Sequence, residues 1–402
     1  MASNTPRIPG RHFLQIPGPA PVPDRILRAM DKAVIDHRGP EFQQLGARVL
    51  SGIKTIFKTK STVFIYPASG TGAWEAALVN VFSPGDKVLM FETGHFATLW
   101  KTMAQKLGVK PEFIESDWRS PADPAIIEER LRADKNHEIK AVCVVHNETS
   151  TGVVSPIAEI RKGIDAAKHP ALFLVDTVSA LASVDFRMDD WGVDVTVCGS
   201  QKGLMLPPGI GLTGVSEKAL RASKDAKIPK SFFSWEDMVG PNKNGFFPYT
   251  PATNLLWGLA EAVDMLHEEG LDRVFARHIR HGEATRRAVR AWGLEILCRD
   301  PKAYSPVLTA ILMPTGYDAD QFRKVALENF DISLGAGLSK IAGKVFRIGH
   351  LGDTNDLTIM GALSGVEMSL EVMGVPHKKG GVQAAMDYLA STAKTAMQTA
   401  AE

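Results

Sequence analysis

The stretch ALFLVDTVSALASVDFRMDDWGVDVTVCGSQKG, residues 171–203, decides how this 402-residue chain is to be read. An apolar run at 171–175 ends in Asp176, and a second at 193–198 leads into Gly199-Ser200-Gln201-Lys202. Short apolar runs bounded by turn-forming residues fit strands buried on both faces of a parallel sheet. Open α/β sheets hold their ligands at the C-terminal ends of such strands. An acid and a lysine, each just past a core strand, can therefore meet at one sheet edge.

Outward from this stretch the same alternation continues. Apolar runs at 63–66, 87–91, 139–145 and 209–215 are separated by helix-like segments, which predicts an α/β fold with a mostly parallel sheet covered on both faces. Asp123-Pro124 and Ser155-Pro156 each place a capping side chain before a proline suited to the first helical turn. Beyond Pro251 the pattern turns helical over 253–269 and 271–292, split by Gly270. A mixed region follows, with strands near 307–313 and 344–349 and helices near 319–329, 355–373 and 381–399. The first 23 residues are rich in Pro and Gly and read as an extended arm over a surface. The expected organisation is an arm at 1–23, a large domain at 24–292 and a smaller C-terminal domain at 293–402.

Composition narrows the function classes. The chain is 45% hydrophobic and 23% charged with a net charge of +1, a globular balance with no broad field for nucleic acid or an anionic membrane. Its apolar runs fall far short of the roughly 20 residues of a membrane span. The N-terminus lacks the apolar core of a signal peptide, and Ala400-Ala401-Glu402 is no peroxisomal signal. Cys143, Cys198 and Cys298 lack metal-ligand spacing and read as free thiols in a reducing compartment. The expectation is a cytoplasmic protein with no metal, membrane or nucleic-acid partner.

Lys202 with Asp176 suits pyridoxal 5'-phosphate, because a lysine bonds the cofactor aldehyde while an acid keeps the pyridine nitrogen protonated. Ser69-Gly70-Thr71-Gly72 sits between a strand and a helix and forms a natural phosphate cradle. Arg347, alternating with Phe346 and Ile348 in a strand-like run, is a candidate fork for a substrate carboxylate. Phe96 follows the 87–91 strand, where an aromatic can stack on a flat ring. Each has an ordinary alternative: a turn lysine, a helix-capping acid, a common glycine turn, a surface ion pair and a core aromatic. For His95 and His146, a hydrogen-bonded structural role is the default over acid–base work.

Seven segments in order carry a family resemblance: IPGPAPVP, HRGPEF, SGTGAWEAALVNVFSPGD, VHNETSTGV, LVDTVSALASVDFRMDDWGVDV, GSQKGLMLPPG and AGKVFRIGHLG. Together they resemble the class V aminotransferases of the fold-type I pyridoxal-phosphate enzymes, over nearly the whole chain. The nearest group is the one using glyoxylate with serine or alanine. The resemblance implies a large domain with a mostly parallel seven-stranded sheet and a smaller C-terminal α/β domain. It implies that Lys202 holds the cofactor and Asp176 pairs with its ring nitrogen. Ser69, Gly70, Thr71 and Gln201 would hold the phosphate. Phe96, where the family often has Trp, and Val178 would cover the two ring faces, and Thr149 would lie near the ring oxygen. Arg347 would bind the α-carboxylate. Tyr249 and Thr250 would reach the phosphate of a partner subunit. His37 and Arg38 would lie near the partner's site, with the arm over that subunit. The implied assembly is a homodimer with shared active sites, with pairing into tetramers left open.

The implied reaction moves the amino group of L-serine to glyoxylate, giving hydroxypyruvate and glycine. Alanine is the alternative donor. A cysteine desulfurase is disfavoured because no cysteine lies in a mobile glycine- and serine-rich loop, and a cofactor-fold regulator because no basic module is present.

Overall fold

The computed structural model describes residues 9–398. Among them a seven-stranded sheet runs in the order Thr62–Pro67, Ile210–Val215, Val195–Gly199, Leu172–Asp176, Ile139–Val145, Lys87–Phe91, Lys110–Ile114. Ile210–Val215 is antiparallel to both neighbours, and the other pairings are parallel. Its strands are apolar throughout because helices cover both faces, and two large clusters of buried side chains fill the space between.

The strands that carry the acid and the lysine start later than their apolar runs and extend further. Asp176 is the last rung of its strand, paired with Val145 on one side and Val197 on the other. Lys202 lies in the turn after Val195–Gly199. Adjacent parallel strands thus deliver both groups to the same edge.

The two proline-led helix starts differ. Asp123 accepts from the Ala125 N–H and caps Pro124–Ala133 as expected. Ser155 does not cap. The next helix, Ile157–Ala166, begins with Pro156 in the cap position and no side-chain bond, while the buried Ser155 hydroxyl accepts from the Ala122 N–H. Burial against that loop turns the serine away from the helix axis.

Thr253–Glu269 and Leu271–Trp292 form as the periodicity predicts. Gly270 separates them at φ +82°, and Gly293 ends the second at φ +78°, conformations that favour glycine. A second sheet follows, ordered Phe13–Gln15, Ile332–Ala336, Val345–Gly349, Leu308–Leu312, Glu295–Ile296.

The arm contributes one short strand, which the sequence did not suggest. Residues 1–8 lie outside the described residues. Phe13–Gln15 is a strand of this chain's own second sheet, parallel to Ile332–Ala336, and the Gln15 side chain donates to the Gly349 carbonyl at 2.6 Å. Apolar Phe13 and Leu14 and the sheet's open edge explain the docking. Of the C-terminal signal region, 399–402 lies outside the described residues, while the helix before it is Gly381–Gln398. No helix of the described residues is long and apolar enough to cross a membrane.

Candidate active site

Three sequence-distant segments meet at the edge where Asp176 and Lys202 emerge. Lys202 is only 8% exposed, and its Nζ donates to the Pro17 carbonyl at 2.5 Å. The arm therefore supplies the amine with a hydrogen-bond acceptor. Burial and the nearby Arg347 lower the Lys202 pKa to about 7, with Asp176 opposing the shift. Burial dominates in the other direction at Asp176, raising its pKa to about 7. Its oxygens are divided between two donors, the Val178 N–H at 2.6 Å and the Trp74 indole N–H at 3.0 Å.

The cradle is built around the start of Gly70–Val81. Ser69 occupies the cap position without making a side-chain bond, so the first helical N–H groups keep no partner within the helix. A Cβ placed on Gly199 would sit 2.9 Å from Gln201 Oε1 and 3.1 Å from the Gly70 nitrogen, so these groups converge on one point. Gln201 Oε1 is buried and without a partner, and turning the amide presents its N–H groups to an anion. Val178 packs directly over Gly70. An amine poised near neutrality, an acid at the adjoining strand end and an unspent anion cradle are the donor and acceptor set that pyridoxal phosphate requires.

Arg347, in Val345–Gly349 of the second sheet, ties that sheet to the loop beyond Ile139–Val145. Its Nε donates to the Ala336 carbonyl at 2.7 Å, and Nη1 donates to the Thr149 carbonyl at 2.6 Å. No hydrogen bond among the described residues engages Nη2. Burial lowers its pKa to about 10, which leaves it fully charged near neutrality. Thr149 also donates its hydroxyl to Ser179 at 2.7 Å, which in turn anchors Asn147. Phe96 lies in His95–Lys106, its ring 6.5 Å from the Trp74 ring.

Four further expected residues make no hydrogen bond to Lys202, Asp176 or Arg347 among the described residues. Tyr249 donates its hydroxyl to the Ile65 carbonyl and stacks on Phe232, and Thr250 beside it is exposed. Arg38 is exposed, and His37 keeps a buried Nε2 without a partner. Of the two histidines set aside, His146 is buried and held at about pKa 4 by desolvation, so it stays neutral and structural. His95 donates or accepts at Ser339 through Nδ1 at 2.8 Å.

Sequence reasoning missed Glu148, Trp74 and Pro17. Glu148 is fully buried and accepts from Ala97 N at 3.1 Å, Ser150 N at 3.0 Å and Ser150 Oγ at 2.6 Å, tying the start of the Phe96 helix to the Thr149 loop. A signal for Trp74 existed: it follows the small residue Gly70 by one helical turn and shares its face. Pro17 lies in the IPGPAPVP segment that carries the resemblance, but nothing there marks its role, which is a backbone carbonyl.

Gly18 gives the first expected result. It sits at φ +111°, and a Cβ there would lie 2.2 Å from Lys202 Nζ. Gly18→Ala is expected to lower kcat/KM by at least about tenfold, since displacing the amine and straining the backbone together exceed 1.4 kcal/mol. Steady-state kinetics with far-ultraviolet circular dichroism test this. A variant with unchanged kinetics would show that the arm does not bear on the amine.

A family model described as Aminotransferase class-V matches residues 12–346. The chain is 51% identical over 390 residues to a serine--glyoxylate aminotransferase of Methylorubrum extorquens, covering 95% of this chain and 97% of that protein. It is 47% identical over 384 residues to a serine--glyoxylate aminotransferase of Arabidopsis thaliana, covering 95% and 96%. Among solved structures, pyridoxamine-pyruvate aminotransferase from Mesorhizobium loti superposes with a TM-score of 0.89 at 27% identity, over 96% of this chain and 99% of that one.

Proposed function

This chain belongs to the class V aminotransferase family, and from that premise we infer that it is a pyridoxal-phosphate-dependent transaminase passing the amino group of L-serine to glyoxylate. The products are hydroxypyruvate and glycine. The observation that carries the reading is the buried pair at adjoining strand ends, Lys202 and Asp176, beside an unspent anion cradle and an arginine with a free nitrogen.

The bound cofactor supplies an aldehyde to take the amino group and a protonated ring to store the electron pair released at the substrate Cα. Lys202 is the residue for the aldehyde and Asp176 for the ring nitrogen. Ser69, Gly70, Thr71 and Gln201 are assigned to the phosphate, Thr149 to the ring oxygen, and Val178 and Phe96 to the ring faces. Arg347 is assigned to the substrate carboxylate, which both serine and glyoxylate possess. Two carbonyls hold the guanidinium in place, so its orientation is prepaid before substrate arrives. With a pKa of about 7, Lys202 Nζ removes the Cα proton as the neutral amine and releases it again without leaving the physiological range. Packing around the amine excludes water and keeps that proton from exchanging freely.

The finer parts of the reading concern assembly and location. The chain works as a cytoplasmic homodimer, with the arm, 24–292 and 293–402 as its units. Tyr249, Thr250, His37 and Arg38 serve the partner subunit's site. The exposure of Thr250 and Arg38 supports this. A desulfurase needs an available thiolate. All three cysteines are buried, and burial pushes even Cys298 up to about 11.

The test is the half-reaction. The purified cofactor-loaded enzyme is mixed with serine, alanine or cysteine without an acceptor, and the cofactor spectrum is followed. The expected result is fastest conversion to the pyridoxamine form with serine, reversed by glyoxylate. Faster conversion with alanine would change the donor, because one methylene or hydroxyl contact is worth only about 1–3 kcal/mol. Conversion with none of them would overturn the transaminase reading.

A further inference from the structure

We propose that Trp74 is a positioning residue for Asp176: its indole N–H fixes the carboxylate that faces the cofactor ring nitrogen, so that a single helix serves both ends of the cofactor. The inference rests on the function proposed above. The helix Gly70–Val81 opens at the phosphate cradle, and Trp74 lies one turn in on the same face as Gly70. The ring is 3% exposed, and Nε1 reaches Asp176 Oδ2 at 3.0 Å while the Val178 N–H takes Oδ1 at 2.6 Å. With a donor on each oxygen, the carboxylate plane cannot rotate, and its remaining lone pairs keep one direction.

Packing alone does not account for this indole. Trp74 stacks on Trp100 with centroids 6.0 Å apart and planes 14° apart, and Trp100 is as deeply buried. Yet Trp100 Nε1 has no hydrogen-bond partner among the described residues. The stack is therefore satisfied without a bonded N–H, and a phenylalanine would fill much of the same space. Only the Trp74 donor is aimed at a group the cofactor needs.

The hydrogen bond also sets the charge of that group. Asp176 is buried, Glu148 raises its pKa further, and Val178, Trp74 and Lys202 lower it. Cys198, on the adjoining strand, points to the opposite face of the sheet as a thiol held protonated by burial, and the Asp176 carbonyl accepts from the backbone N–H of His146. Removing the indole donor leaves the ionised form less stabilised. The carboxyl then stays protonated to a higher pH, and a neutral acid no longer pairs with a protonated ring nitrogen.

Trp74→Phe and Trp100→Phe, stripped of cofactor, are titrated with pyridoxal phosphate between pH 6 and 8.5, and the dissociation constant is read by equilibrium dialysis. The expected result for Trp74→Phe is about ninefold weaker binding at pH 6 and about fivefold weaker near pH 7, a loss that shrinks toward pH 8.5, as a shift of about one pH unit gives. Trp100→Phe is expected to keep the wild-type pH profile. Equal changes in both variants, or a Trp74→Phe curve parallel to wild type at every pH, would overturn the proposal. Wild-type protein that binds no pyridoxal phosphate would remove the underlying function and this inference together. A second readout needs no Trp74 variant. In cofactor-free wild-type protein, one of the seven tryptophan indole N–H signals, not the one lost in Trp100→Phe, should shift with pH near 7 and cease to shift in Asp176→Asn. No titrating indole signal would equally overturn it.

Discussion

Lys202→Ala is expected to lower kcat by about 10⁴-fold, the upper end of what one positioned acid–base group contributes. The loss falls on kcat because the residue acts on the Cα proton and not on substrate binding. Lys202→Arg is expected to be nearly as inactive. A guanidinium stays charged under all working conditions and neither attacks an aldehyde nor accepts a proton. The pH dependence gives a sharper check. The neutral amine is the competent form, and burial brings its pKa down to about 7. Capture of pyridoxal phosphate by the cofactor-free chain should therefore accelerate as pH rises through about 7 and level off above it. A solvated lysine would place that rise near pH ~10.4. Stopped-flow absorbance across this range decides the matter, and a midpoint near 10 would refute the assignment of Lys202 as a desolvated amine.

Arg347→Met is expected to raise KM for both serine and glyoxylate by about 10²–10³-fold, the consequence of losing roughly 3–4 kcal/mol from a buried charged contact. Both substrates must suffer, because their shared feature is the carboxylate. Cofactor affinity should change less, since the groups assigned to the cofactor phosphate and ring nitrogen make no hydrogen bond to Arg347 among the described residues. Arg347→Lys retains the charge but loses the fork, and the carbonyls of Ala336 and Thr149 both lose their donor geometry. It should fall between wild type and Arg347→Met. Some loss of melting temperature accompanies either change, as two buried carbonyls are left without their donor. Initial-rate measurements varying each substrate in turn provide the test. An effect confined to one substrate would mean that Arg347 does not hold the common carboxylate.

Much of this site was legible because its strongest signals are local in sequence. A strand buried on both faces must be apolar along its length, so its end shows as the first acid or turn. Asp176 and Lys202 were found this way, and Leu172–Asp176 and Val195–Gly199 bear it out as adjacent parallel strands. The long helices were legible from spacing and from glycines at their ends. Ser155 shows where local reading stops. Its sequence is a good cap, but burial gave its hydroxyl to another loop. The arm shows the same limit, since nothing in a Pro- and Gly-rich segment announces the sheet edge on which it will dock.

The sequence by itself determined the alternating α/β order, the acid and lysine at strand ends, the cradle of small residues and the family. Each depends on periodicity, on turn chemistry or on motifs read along the chain. Only the tertiary structure decided what those groups touch. Pro17 meets Lys202 across 185 residues, Trp74 meets Asp176 across 102, and Arg347 reaches Thr149 across 198. The physical reason is that a hydrogen bond depends on angles and distances fixed by packing between elements. Burial, with Arg347 beside the amine, brings Lys202 down to about 7, and burial raises Asp176 to about 7 against the pull of Val178 and Trp74.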